Sequence, residues 1–81
     1  MIRVTLYGRR DCHLCHDMRA VVDAVARRVP VVVEEVDVDE DPTLRDAYGA
    51  EVPVLAVNGR KAFKYRVDAA ALEARLRREP A

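Results

Sequence analysis

Two cysteines, Cys12 and Cys15, are the residues of this chain whose type and spacing best suit chemistry. They lie three positions apart, in the sequence Asp11-Cys12-His13-Leu14-Cys15-His16. The disulfide scaffold of a small secreted protein would contain more cysteines, joined across longer loops. In a reducing compartment, a close pair is more often catalytic or metal-binding than structural. The pair therefore predicts either redox chemistry or ligand binding through sulfur.

The same segment also matches the Cys-x-x-Cys-His pattern of c-type haem attachment, in which His16 would be an axial ligand. Such attachment takes place outside the cytosol, and we recognise no secretory signal in the first residues. A second axial ligand is also lacking, because Met18 is too close in sequence and Met1 is the initiator. Haem attachment through Cys12-His13-Leu14-Cys15-His16 is therefore an alternative to redox chemistry.

Zinc binding is a second alternative. The two cysteines and two histidines all lie within five residues on one predicted helix. A tetrahedral site needs ligands from a second segment. We therefore predict no metal site, and we expect the chemistry to need no cofactor beyond a redox-active disulfide.

Length and charge limit the classes of protein. A chain of 81 residues can bury one modest core, so we expect residues 1–81 to form a single domain. Basic residues and acidic residues number 14 each, which argues against a nucleic-acid partner. Apolar runs such as Val31–Val33 are far shorter than the about 20 residues that a membrane span requires. We expect a monomeric protein in the cytoplasm, with no membrane partner.

Hydrophobic periodicity predicts the elements that position the cysteines in the first half of the chain. Alternation over residues 2–7 indicates a strand, and a helical period over residues 12–28 indicates a helix that Pro30 closes. Residues 31–38 are rich in β-branched side chains and predict a second strand. Cys12 and Cys15 then lie at the first turn of the first helix.

The second half predicts a short helix, a hairpin and a final helix. Asp41-Pro42 is a helix start, and Gly49 ends that helix. The hairpin comprises strands over residues 54–57 and 61–65, joined by Asn58-Gly59, and Asp68 caps the last helix. The order β-α-β-α-β-β-α predicts an α/β fold with a four-stranded mixed sheet, because the crossover gives a parallel pair and the hairpin gives antiparallel ones.

This arrangement resembles the thioredoxin fold, and more closely its small glutaredoxin-like branch. The likeness covers nearly the whole chain and rests on Val4-Thr5-Leu6-Tyr7, on Cys12-His13-Leu14-Cys15 and on Val52-Pro53-Val54-Leu55. The resemblance implies helices on both faces of the sheet and a thiol–disulfide oxidoreductase with Cys12 as the nucleophile. It also implies that the Val52–Pro53 peptide is cis and lies beside the cysteine pair.

The chemistry of the pair agrees with that resemblance. Positions i and i+3 of a helix lie on one face about 5–6 Å apart, which suits a disulfide. A cysteine at a helix N-terminus has its pKa lowered from about 8.5 into the range of about 3.5–7.5. We therefore expect Cys12 to be the reactive thiolate and Cys15 the protected, resolving thiol. Three residues could tune the thiolate: Arg10, His13 and His16.

For substrate binding, the resemblance points to Tyr7, Val52, Pro53 and Asp68. Glutaredoxins also carry a Gly-Gly pair and acidic residues that hold glutathione, whereas this chain has Phe63-Lys64-Tyr65-Arg66-Val67-Asp68. The expected substrate is a disulfide of a protein or a small thiol. The expected electron donor is glutathione or an enzyme of the thioredoxin-reductase type. The non-enzymatic alternative is a redox-inert interaction module on the same fold.

Overall fold

A computed structural model describes residues 1–80 of the chain. Its elements are, in order, β1 (Ile2–Gly8), α1 (His13–Ala26), β2 (Val31–Asp37), α2 (Pro42–Tyr48), β3 (Val54–Val57), β4 (Arg60–Lys64) and α3 (Ala69–Leu76). A single 3-10 turn, Val38–Glu40, connects β2 to α2. The predicted order β-α-β-α-β-β-α is therefore confirmed.

The four strands form one mixed sheet in the order β2-β1-β3-β4. β1 and β2 are parallel, whereas β1 and β3, and then β3 and β4, are antiparallel. β1 and β3 are the central strands, and all four residues of β3 are buried. Tyr7 pairs with Val54, so the C-terminal end of β1 lies beside the N-terminal end of β3.

Helices cover both faces of the sheet, as expected. On one face, α1 and α3 pack with β1 and β3 in a core that includes Leu6, Met18, Val22, Leu55 and Leu72. On the other face, Tyr7 of β1 stacks on Tyr48 of α2 with 4.5 Å between ring centroids. Because successive strand residues face opposite sides, this second layer buries Val54 and Ala56 of β3.

Local sequence signals account for the helix boundaries. Each helix begins after a side chain that accepts a backbone N–H: Cys12 before α1, Asp41 before α2 and Asp68 before α3. The apolar stripe of α1 is Cys15, Met18, Val22 and Val25, all buried at the spacing the sequence predicts.

Two predicted strands, β2 and β4, extended one residue too far at their C-terminal ends. Val38 was expected to end β2, but it belongs to the 3-10 turn, which begins where the Asp37 carboxylate accepts the Asp39 N–H at 2.9 Å. β4 was expected over residues 61–65, but it runs from Arg60 to Lys64. Tyr65 leaves the strand because its backbone adopts a φ of +68°. A side-chain hydrogen bond ends β2, and a backbone turn ends β4. The β-propensity of the residues alone would have extended both strands.

Candidate active site

Cys12 and Cys15 are joined by a disulfide, with 5.1 Å between their Cα atoms. Cys12 is the N-cap residue of α1, and Cys15 lies within its first turn. Cys15 is only 2% exposed, whereas Cys12 is half-buried. The two sulfurs therefore differ in access, and the one at the helix terminus is the one that solvent reaches.

Backbone hydrogen bonds fix Cys12 at the start of α1. Its carbonyl accepts the N–H of His16 at 3.1 Å, and its Sγ accepts the N–H of Cys15 at the same distance. The first N–H groups of a helix have no partner within the helix and carry the positive end of its dipole. A negative charge on the Cys12 sulfur is stabilised by these groups after reduction of the disulfide.

Gly8 and Pro53 lie at the same end of the sheet as the disulfide. A β-carbon on Gly8 would lie 3.0 Å from the Cys15 Sγ, so the end of β1 supports the buried sulfur. Extending the Tyr7–Val54 register by one residue places Pro53 opposite Gly8. The Val52–Pro53 peptide is cis, as the resemblance implied, and Pro53 is fully buried.

The charged residues around Cys12 are largely exposed. Arg10, His13 and His16 all face solvent. The His13 imidazole lies 3.6 Å from the Asp17 carboxylate, one helical turn along α1. Arg9, in contrast, forms a salt bridge with Asp39 at 3.1 Å. This pair connects the loop between β1 and α1 to the segment that follows β2.

A groove of about 490 Å³ lies between α1 and the connection from β4 to α3. Leu14, which lies between the two cysteines in sequence, forms part of its wall, and so does Asp68. The Asp68 carboxylate also accepts the N–H of Ala71 at 2.9 Å, so it has a structural role as a helix cap. Most of the other wall residues are apolar: Met18, Val21, Phe63, Val67 and Ala71.

Tyr7 is not brought into this groove. Its ring stacks on Tyr48, on the face of the sheet opposite α1. Burial, followed by the proximity of Tyr48 and Glu34, raises the pKa of Tyr7 above its ordinary value. Its phenol is therefore neutral at physiological pH, and its role in substrate binding stays a prediction.

Three residues of this region were not singled out by the sequence reasoning as site residues: Gly8, Leu14 and Tyr65. Leu14 could have been found from its place between the cysteines. Gly8 could have been found from its place at the end of β1, where a helix begins close by. Tyr65 carries no such signal, because neither its type nor its neighbours indicate a positive φ.

Neither a metal site nor a membrane span is found in residues 1–80. No group of three or more histidine, cysteine, aspartate or glutamate side chains in that range is placed to hold a metal ion. Within the same range, the helices are too short or too polar to cross a bilayer.

Residues 3–77 match the family described as glutaredoxin-like domain (DUF836). Because that match covers nearly the whole chain, the protein belongs to this glutaredoxin-like family, and it carries a Cys-x-x-Cys disulfide on a thioredoxin fold.

Solved structures support the same assignment. A structural-genomics target protein from X. campestris is 41% identical, with a TM-score of 0.76, and the match covers 95% of this chain and 99% of that one. Protein Ne2328 from Nitrosomonas europaea is 27% identical, with a TM-score of 0.81 over 93% of this chain and 91% of that one. A mutant thioredoxin from Halobacterium salinarum is 26% identical, with a TM-score of 0.70 over 93% of this chain and 71% of that one.

Proposed function

We propose that this protein is a thiol–disulfide oxidoreductase that reduces disulfides of proteins or small thiols through Cys12 and Cys15. The observation that carries the proposal is the asymmetry of the pair. Cys12 is half-buried at the N-terminus of α1, and its Sγ accepts a backbone N–H, whereas Cys15 is 2% exposed. One sulfur is placed to attack a substrate, and the other is placed to act only after a bond has formed.

The proposed reaction has two exchange steps. In the first, the Cys12 thiolate attacks one sulfur of the substrate disulfide, forms a mixed disulfide and releases the other sulfur as a thiolate, which takes up a proton. In the second, the Cys15 thiol loses its proton and attacks the Cys12 Sγ. The Cys12–Cys15 bond forms, and the substrate leaves as a dithiol that has gained two electrons.

Charges near Cys12 would assist the first step. Arg10, His13 and His16 surround the N-terminus of α1 and are assigned here to stabilising the thiolate. Arg10 and a protonated His13 or His16 add to the effect of the helix N-terminus, which alone lowers the pKa of a cysteine. The Asp17 carboxylate lies 3.6 Å from the His13 imidazole, and its negative charge weakens this stabilisation of the thiolate.

Val52, Pro53 and Asp68 are assigned to substrate binding. The backbone N–H and C=O of Val52 take part in none of the hydrogen bonds found among residues 1–80. An extended substrate could pair with them as an added strand does. Pro53 has no N–H to offer, and its ring packs away from solvent beside the buried sulfur. Asp68 supplies a carboxylate at the groove.

A thiol-mapping experiment tests the proposal. The reduced protein is alkylated at about pH 6, where a cysteine of unperturbed pKa reacts slowly, and the label is located by mass spectrometry. We expect the label on Cys12. Cys15→Ala should then accumulate a mixed disulfide with a substrate, whereas Cys12→Ala should accumulate none. Preferential labelling of Cys15 would contradict the assignment.

The reductant is assigned to the glutathione pool or to an enzyme of the thioredoxin-reductase type, in the cytoplasm. Offering the oxidised protein either glutathione with glutathione reductase or an enzyme of the thioredoxin-reductase type, with NADPH consumption as the readout, distinguishes the two. A redox-inert module would accept electrons from neither donor. Haem attachment is disfavoured by the α/β fold, in which Cys12 and Cys15 are bonded to each other.

A further inference from the structure

Tyr65 is one of two non-glycine residues with a positive φ among residues 1–80, the other being Asn58. Its φ is +68°, and the N–H of Arg66 donates to the carbonyl of Lys64 at 2.8 Å, which makes a three-residue γ-turn centred on Tyr65. This form of the γ-turn is rare and strained, and an aromatic residue adopts it at a cost. Such strain persists only where surrounding contacts hold it, and it is concentrated at functional sites.

Two hydrogen bonds hold Tyr65 against the segment that carries Val52. Its N–H donates to the carbonyl of Pro53 at 2.8 Å, and its hydroxyl donates to the carbonyl of Ala50 at 3.4 Å. The ring is therefore oriented by the same segment that presents the free backbone groups of Val52. It is also 43% exposed, so a large part of its surface is available for contact.

Tyr65 and Leu14 both line the groove between α1 and the connection from β4 to α3. Leu14 lies between the two cysteines in sequence, so one wall of the groove starts in the first turn of α1, next to Cys15. Most of its lining is apolar and includes the half-buried Phe63 and Val67, whereas Asp17, Arg66 and Asp68 are its charged members. A side chain entering this groove would lose water against hydrocarbon, which favours an apolar occupant.

We propose that the substrate is a polypeptide disulfide in which the residue next to the reacting cysteine is apolar, and that Tyr65 determines this specificity. This inference rests on the proposed oxidoreductase function. A backbone paired with Val52 would run past Cys12, and the neighbouring side chain would enter between Tyr65 and Leu14. Lys61 and Lys64 are both bound to Glu51, and Arg66, the one cation of residues 1–80 that lines the groove, shares that lining with the carboxylates of Asp17 and Asp68, which disfavours the carboxylates of a small charged thiol.

The test uses single-turnover kinetics, which need no electron donor. The pre-reduced protein is mixed with two disulfide-bonded peptides that are identical except for leucine or serine next to the reacting cysteine. Bis(2-hydroxyethyl) disulfide serves as a substrate that is too small to fill the groove. We expect the half-saturating concentration to be about tenfold lower for the leucine peptide than for the serine peptide, with similar limiting rates.

Tyr65→Gly is the informative variant, because glycine adopts a positive φ without strain and so keeps the turn while it removes the ring. We expect its half-saturating concentration for the leucine peptide to rise about threefold to tenfold, with no change for the serine peptide. Tyr65→Phe should restore the preference, since it keeps the ring. Val32→Ser is the control, because Val32 is an exposed apolar residue on β2, at the opposite edge of the sheet.

The outcomes separate the two proposals. If the wild-type protein reduces all three disulfides without preference, the specificity is refuted and the oxidoreductase function stands. An unchanged preference in Tyr65→Gly would refute the role of Tyr65. If the reduced wild-type protein reacts with none of the disulfides, the proposed function fails, and the specificity fails with it.

Discussion

Gly8 supports the buried sulfur of Cys15: a β-carbon on Gly8 would lie 3.0 Å from the Cys15 Sγ and 3.2 Å from its Cβ. Real β-carbons rarely approach other atoms so closely, so even one methyl group there must displace the cysteine or the strand. Since Gly8 ends β1 and Cys15 lies in the first turn of α1, this contact sets the distance between the sheet and the redox helix.

We therefore expect Gly8→Ala to destabilise the oxidised protein by about 1–3 kcal/mol, the usual cost of overpacking a filled core. Urea unfolding at neutral pH measures this. We also expect the mixed disulfide at Cys12 to decay more slowly, because the displaced Cys15 is less well aligned for its attack. A double-mutant cycle with Cys15→Ala provides the control: the cost of Gly8→Ala should fall when the sulfur is absent. An equal cost in both backgrounds would show that the clash does not involve the sulfur.

Asp68 combines a structural and a proposed binding role, and two substitutions separate them. Asp68→Ala removes the cap on the Ala71 N–H and should destabilise the protein by about 1 kcal/mol. Asp68→Asn keeps a capping oxygen and removes only the charge, so its unfolding midpoint should stay near that of the wild type. If the carboxylate binds substrate, Asp68→Asn should still raise the half-saturating concentration. Unaltered substrate kinetics in Asp68→Asn would limit Asp68 to capping.

Glu51 ties β4 to the loop that precedes Pro53. It accepts hydrogen bonds from Lys61 at 2.6 Å and from Lys64 at 3.3 Å, and these bonds lower the pKa of Glu51 below its ordinary value. A lowered pKa in the folded state means that ionised Glu51 stabilises the protein above its unfolded pKa of about 4.3, and that this contribution disappears as the pH falls through the lowered pKa.

Glu51→Gln should accordingly lower the melting temperature slightly at pH 7, and the difference from the wild type should shrink in acid. It should also shrink in about 1 M salt, because the three charged groups are on the surface. Thermal melts at about pH 7 and about pH 3, with and without salt, measure both effects. A difference that persists undiminished in acid would mean that Glu51 acts through packing and not through its charge.

Leu72 anchors α3 in the core shared with α1 and the sheet, and its side chain is fully buried. Leu72→Ala should cost about 2–5 kcal/mol, through lost burial and the cavity left behind. Val32→Ala, at a position that is 50% exposed, should cost far less and serves as its matched control. Chemical denaturation of both variants tests this, and similar costs would show that α3 packs more loosely than the structure indicates.

The cysteine pair, its place at a helix N-terminus and the order of the elements could all be predicted from the sequence, because each depends on contacts between near neighbours in the chain. Helix caps such as Asp68 and the apolar stripe that contains Cys15 are signals of this kind. The misplaced end of β2 also has a local cause, the Asp37 carboxylate, but that cause competes with β-propensity, and the competition is not settled by composition.

Contacts between distant parts of the chain were decided only by the tertiary structure. The register of β1 against β3 places Pro53 beside Gly8, and helix packing places Cys15 above that glycine. Tyr65 was expected to continue β4, yet its hydrogen bond to the Pro53 carbonyl accompanies a turn that places the residue in the wall of the groove. Tyr7, which the resemblance assigned to substrate binding, faces the other layer. In a strand, the side chains of two successive residues lie on opposite faces of the sheet. Only the packing of the helices determines which of these faces contacts α1.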